Sequence, residues 1–159
     1  MIYIDCDGFK NVNDRLGHQT GDQVLRSLAV ALQNNTRTTD FVARLGGDEF
    51  AILMTETGEQ IIAEALKRLH ALLTDALVGN GWPVTLSMGA AIYLQPPESA
   101  GEMIKNADYL MFKAKNEGKN MVQYKIFENS TEDLQLPHSQ NALPPSSLEV
   151  PTHQHNPPL

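Results

Sequence analysis

The chain contains a single cysteine, Cys6, in 159 residues. That excludes an internal disulfide and fits a reducing compartment. Basic residues are also scarce: 12 Lys and Arg stand against 19 Asp and Glu, for a net charge of −7. A nucleic-acid-binding surface dominated by basic residues is therefore not expected. Four acids, Glu128, Glu132, Asp133 and Glu149, follow the last lysine, Lys125, and without them residues 1–125 carry only −3. Nowhere does an apolar run approach the roughly 20 residues that span a bilayer, and no charged-then-apolar leader opens the sequence. The expectations are no membrane segment, no nucleic-acid partner and a cytoplasmic location.

What is present fits one globular domain with a real core. Apolar residues make up 42% and charged residues 19%, with an excess of uncharged polar residues. The stretch Arg44-Leu45-Gly46-Gly47-Asp48-Glu49-Phe50 lies between two short apolar runs, Phe41-Val42-Ala43 and Phe50-Ala51-Ile52-Leu53-Met54. Two such runs joined by glycines read as a β-hairpin over about 40–54. Its turn carries adjacent carboxylates. A first strand, Met1-Ile2-Tyr3-Ile4, ends at Asp5-Cys6-Asp7.

Between these, Asn11-Val12-Asn13-Asp14 suggests a turn or helix start. Val24, Leu25, Leu28, Ala29 and Leu32 then recur at helical spacing, with Thr20 or Asp22 as candidate cap and Asn34-Asn35-Thr36 as the stop. A second amphipathic helix runs through Ile61, Ile62, Ala65, Leu66, Leu69, Leu72, Leu73 and Leu77 to Gly79. A strand over 83–94 contains Gly89, which marks a bulge or a close approach. A third helix spans Ala100 to Lys115 with Met103, Ile104, Ala107, Leu110, Met111 and Ala114 inward, and 122–124 adds an edge strand. The tail, rich in Ser, Gln, Asn, His and Pro, lacks the apolar content to offset its ordering entropy. The division is a folded unit over 1–127 and a disordered segment over 128–159.

The order β-α-β-β-α-β-α gives an α+β, ferredoxin-like or palm βαββαβ core, an antiparallel sheet with helices packed on it. In that topology the first strand neighbours the hairpin, which sets Asp5 beside the 46–49 turn. Carboxylates gathered at adjacent strand ends repel one another, and a divalent cation relieves this. Asp5, Asp48 and Glu49, with the backbone carbonyl of Cys6, are thus candidate oxygen donors for Mg²⁺ acting on a nucleoside triphosphate. Asp7 reads as a structural turn acid rather than a ligand, His18 as structural, and Lys113 as solvent-facing.

Taken together, these motifs resemble the GGDEF family of diguanylate cyclases. Arg44 to Phe50 matches its signature. Asp5-Cys6-Asp7-Gly8-Phe9-Lys10, Asn13-Asp14, Gly17-His18, Gly21-Asp22, Ser87-Met88-Gly89 and Asp108 to Lys115 follow in the family's order, over about residues 2–122. The resemblance implies condensation of two GTP into cyclic di-GMP with Mg²⁺ (Mn²⁺ as a substitute), two domains working as a homodimer. It implies metal binding by Asp5, the Cys6 carbonyl and Asp48, with Asp48 and Glu49 catalytic. Guanine reading falls to Asn13 and Asp22, close nucleotide approach to Gly46 and Gly47, and phosphate contact to Lys10, Lys115 and Lys119. Lys119 stands where the family more often has Arg, which gives up bidentate recognition. Arg37 and Asp40 match an inhibitory product site that binds cyclic di-GMP, and Arg44 a hairpin support.

Family domains begin with a further helix and an Asp-x-Leu-Thr segment, so relative to that pattern the match is N-terminally truncated and apolar sheet or helix surface is expected to be exposed. Two other readings stand beside the cyclase: a non-catalytic module sensing cyclic di-GMP or GTP, and a palm-type enzyme using another nucleotide.

Overall fold

The computed structural model describes residues 1–55 and 62–128. The element order is β1 (Ile2–Asp7), α1 (Phe9–Leu16), α2 (His18–Asn34), β2 (Phe41–Gly46), β3 (Glu49–Leu53), α3 (Ile62–Val78), β4 (Thr85–Tyr93), α4 (Ala100–Asn116) and β5 (Met121–Phe127). The strands form one sheet in the order β2-β3-β1-β4-β5. The α+β class and the βαββαβ core are as the sequence indicates. The sheet itself is mixed. β4 and β5 are parallel, because α4 carries the chain back across the sheet as a crossover, whereas a wholly antiparallel sheet was expected.

β1 is the central strand and is buried along its whole length. Ile2, Ile4 and Cys6 point into the larger core, where Val12, Leu28, Leu32, Leu66, Leu73 and Leu77 of α1, α2 and α3 cover one face. Tyr3 points to the other face, into a smaller core with Ala107, Leu110 and Met111 of α4 and with Phe127. The alternation of strand side chains sends Asp5 and Asp7 to that second face as well.

Several local expectations are corrected. Neither Thr20 nor Asp22 caps a helix. Gly17, at φ 85°, ends α1 and starts α2 in one residue, so both lie inside α2, and Thr20 Oγ1 donates instead to the Leu16 carbonyl at 2.9 Å. In α3 the buried stripe is Ile62, Leu66, Leu69, Leu73 and Leu77, which leaves Ala65 and Leu72 at its exposed flanks. Ile61 lies outside the described residues, as does the tail from residue 129. Ile104 of α4 is 42% exposed, because α4 covers only β1, β4 and β5. The uncovered part of that sheet face carries Phe41 and Leu45 (68% and 46% exposed) beside Ala43, Leu53 and Met103.

Gly89 is a close approach rather than a bulge. A Cβ there would overlap the Ala107 carbonyl oxygen and the Met111 amide nitrogen, so glycine lets α4 lie directly on β4. No helix of the described residues is long and apolar enough to cross a membrane.

Candidate active site

The strand registers align four elements at one end of the sheet. Asp5 stands opposite Glu49 of β3 and opposite Ser87 of β4, and Ser87 stands opposite Met121 of β5. Cross-strand partners share a face. The hairpin turn, the acidic end of β1, the start of β4 and the turn into β5 therefore meet on the side that α4 covers. The hairpin places its acids by a tight reversal: Gly46 pairs with Glu49, leaving only Gly47 and Asp48 in the turn. Gly47 takes φ 44°, a conformation that glycine adopts without strain. Arg44 holds the turn from below, with Nε and Nη2 donating to the Gly47 carbonyl at 2.9 and 2.6 Å. Its role as hairpin support follows from those bonds. Gly46 has no positive φ, and a Cβ there would meet nothing. Packing within the protein gives no reason for glycine at that position.

Asp5 is buried, and its carboxylate is paired with Lys115 Nζ of α4 at 2.7 Å. Asp48 is half-buried. Burial, and next the Asp5 carboxylate, hold its pKa above the usual carboxylate value. Cys6 lies between the acids in sequence, but its thiol enters the opposite core. Burial and the surrounding acids push that thiol far above the ordinary range, so only its main chain faces this chemistry. Burial raises the Tyr3 phenol to about 12, and the Glu49 carboxylate adds to the shift.

Asp7 is not a turn residue, contrary to the sequence expectation. It completes β1 and accepts hydrogen bonds from Thr85 Oγ1 at 2.9 Å, from Ser87 Oγ (2.9 Å from either carboxylate oxygen) and from the Asn120 amide at 3.2 Å. Sequence reasoning assigned nothing to Thr85, Ser87 or Asn120 in this cluster. Only the strand register could have connected them.

Of the remaining candidates, Lys119 sits exposed in the α4–β5 turn at φ 63°, and Lys10 is exposed in the first turn of α1. Asn13 of α1 packs against Gly21 of α2, where a Cβ would overlap its side-chain amide, and Asp22 follows at once. Asp22 borders a groove of about 410 Å³ between α2 and the hairpin, floored by Leu25, Val42 and Phe50 and flanked by Arg26 and Arg44. Arg37 and Asp40 are set apart. They form a turn before β2, at the far end of that strand from Gly46, about 17 Å away at the usual rise per residue. There the Arg37 amide donates to Asp40 Oδ2 at 2.8 Å, while the buried Asp40 Oδ1 has no hydrogen-bond partner.

Among the described residues no group of three or more His, Cys, Asp or Glu side chains is gathered so as to hold a metal ion by itself. The donors at the sheet end nevertheless fit Mg²⁺ or Mn²⁺. Mg²⁺ takes one or two carboxylates and completes its octahedron with water and substrate phosphate oxygens. Burial first, and then the Asp5 carboxylate, raise the pKa of Asp48, and a bound cation offsets both by favouring the ionised form.

That raised pKa gives a testable stability effect. A carboxyl whose folded pKa lies above its unfolded value favours the protonated folded form. Ionised Asp48 therefore costs stability at neutral pH, and the cost disappears as pH falls through the folded pKa. Asp48→Asn is expected to raise the melting temperature of the metal-free chain at pH 7 and to change it little near pH 4, as read by thermal unfolding at the two pH values.

Comparison with known proteins follows this geometry. The sequence pattern of the family described as "Diguanylate cyclase, GGDEF domain" matches residues 1–121. YhcK of Bacillus subtilis (strain 168) is 40% identical over 126 residues, covering 77% of this chain and 35% of YhcK. Diguanylate cyclase DosC of Escherichia coli (strain K12) is 37% identical over 127 residues, covering 77% of this chain and 27% of DosC. The chain thus spans about a third or less of the length of these relatives. Among solved structures, the GGDEF domain of DgcB from Caulobacter crescentus, in complex with c-di-GMP, superimposes with a TM-score of 0.66 at 29% identity, covering 77% of this chain and 75% of that one.

Proposed function

Because this chain belongs to the GGDEF diguanylate cyclase family, we propose that it condenses two molecules of GTP into cyclic di-GMP with release of two pyrophosphates. The observation that carries the reading is the register that sets Asp5 opposite Glu49, beside a turn reduced to Gly47 and Asp48. In each half-reaction a ribose 3′-oxygen bonds to the α-phosphorus of the other GTP, the bond to pyrophosphate breaks, and the hydroxyl proton leaves. Asp5, Asp48 and the Cys6 carbonyl would hold Mg²⁺. The chemistry it supplies when bound is charge neutralisation at the phosphates and activation of the attacking hydroxyl.

The chain's own residues do the rest. Glu49, which stands opposite Asp5, serves to activate the hydroxyl or to bind the metal. Lys115, Lys119 and Lys10 bring positive charge to the triphosphate, and Gly46 and Gly47 admit the nucleotide against the backbone. Asn13 and Asp22 read guanine: a carboxylate accepts from the N1–H and the 2-amino group, and adenine offers neither. One chain presents one such half-site, so the product requires two copies face to face, each carrying one GTP.

The test is to incubate the purified chain with GTP and Mg²⁺ and measure cyclic di-GMP and pyrophosphate. Absence of product together with absence of GTP binding overturns the reading. The base assignment has its own check. Asp22→Ala is expected to lower kcat/KM for GTP by roughly 100-fold and to erode the preference over ATP, since the site then loses the acceptor that discriminates. An unchanged GTP/ATP ratio would remove Asp22 from that role.

A second reading, regulatory binding of cyclic di-GMP at Arg37 and Asp40, is favoured by one observation: Asp40 Oδ1 is a buried acceptor with nothing donating to it. An unpaired carboxylate oxygen of this kind suits the N–H donors of a guanine base, with the Arg37 guanidinium for phosphate or base. Loss of cyclic di-GMP binding in Arg37→Ala, by calorimetry, supports it; unchanged binding excludes it.

A further inference from the structure

Asp7 stands two residues beyond Asp5 on the same face of β1 and is 8% exposed. Two of its hydrogen bonds, to Thr85 and Ser87, tie β1 to its neighbour β4. A clamp between adjacent strands needs no more than those. The third bond reaches the main chain of the turn between α4 and β5, at Asn120 N. In that turn Lys119 and Asn120 take φ of 63° and 48° in succession, a left-handed pair of non-glycine residues. Such backbone persists only where its surroundings fix it. Here two bonds do so: the Lys119 amide to the Ala114 carbonyl at 3.0 Å and the Asn120 amide to Asp7. The Lys119 side chain is exposed, and no ion pair holds it among the described residues. Its position is set by the backbone that carries it.

We infer that Asp7 is a positioning residue for the triphosphate: its carboxylate anchors the α4–β5 turn and thereby sets where Lys119 stands. The inference rests on the nucleotide reading above and deepens it. Asp7 touches no substrate in this role and acts through Lys119. The donors around it are neutral hydroxyl and amide groups, one of them the main chain of the turn.

The experiment uses the full chain and equilibrium binding of two probes, a non-hydrolysable α,β-methylene analogue of GTP and guanosine, which lacks phosphates. Asp7→Ala is expected to weaken the triphosphate analogue about tenfold and to leave guanosine unchanged. Asp7→Asn keeps an acceptor for the Asn120 amide and is expected to recover most of that loss. Lys119→Ala is expected to show a similar loss, and the double variant no more than Lys119→Ala alone, because both act on one contact. Additive losses, or equal weakening of guanosine, overturn the inference. Ser87→Ala removes an Asp7 partner on β4 while sparing the turn. It is expected to lower the melting temperature with both affinities intact, and a weakened triphosphate analogue there also overturns the inference, even if Asp7→Ala does not fold. A wild-type chain that binds neither probe overturns the nucleotide reading itself, and the role of Asp7 with it. A wild type that binds both, with no coupling between Asp7 and Lys119, overturns the inference alone.

Discussion

Cyclic di-GMP formation is expected to fall on the order of 10³-fold or more in Asp48→Ala, because charge stabilisation by a held divalent cation is worth several kcal/mol in phosphoryl transfer. The structure gives this variant a clean interpretation. Asp48 occupies the second position of a two-residue turn whose unusual dihedral belongs to Gly47, and the turn is held by Arg44 through the Gly47 carbonyl. Alanine therefore fits the backbone, and the carboxylate it deletes is one whose ionised form is disfavoured in the folded chain. Activity and stability should move in opposite directions: product lost, melting temperature kept or raised. Asp48→Asn preserves size and removes only the charge, so it should match the alanine variant in activity. Retained product in either variant, measured by chromatography after incubation with GTP and Mg²⁺, would show that the metal is held elsewhere. A large drop in melting temperature would instead assign Asp48 to the fold.

The largest structural effect is expected at Gly89. A methyl group there would overlap the Ala107 carbonyl oxygen and the Met111 amide nitrogen, and would lie 2.7 Å from the Leu110 carbonyl carbon. These are helix backbone atoms, which cannot rotate away as a side-chain tip can. α4 must lift off β4, opening the smaller core around Tyr3, Leu110 and Met111. A cost of roughly 3 kcal/mol or more follows from overpacking of this kind, equivalent to a fall in melting temperature of roughly 10 °C for a domain this size. Gly101→Ala is the matched control. Its Cβ would meet only Ser99 Oγ at 3.7 Å, near the start of the same helix, so it should be neutral or slightly stabilising. The Gly89 variant carries a functional consequence too. Lys115, on α4, reaches Asp5 at 2.7 Å, so a displaced helix should weaken GTP binding along with stability. A Gly89→Ala chain that melts with the wild type would mean that α4 does not pack as described.

The elements that could be read from sequence are those whose information is local. Apolar periodicity identified α3 and α4, the glycines identified the hairpin, and Ser99 caps α4 by accepting from the Glu102 amide at 3.1 Å. The misreadings arose where a tertiary choice overrode a local signal. Thr20 and Asp22 are good cap residues, but the turn at Gly17 starts α2 earlier and puts them inside the helix. Asp7 reads as a turn acid in the sequence, yet its partners Thr85 and Asn120 lie 78 and 113 positions away. The direction of β5 was equally hidden, since an edge strand of this composition reads the same in either orientation.

The sequence by itself determined the family and most of the order of elements, because those depend on residue type and spacing along the chain. Only the tertiary structure decided that Asp5, Glu49, Ser87 and Met121 share one row, that Lys115 closes on Asp5, and that Asp7 holds the turn bearing Lys119. Register and helix placement are settled by how the two faces of the sheet are packed, and that packing is a property of the whole chain.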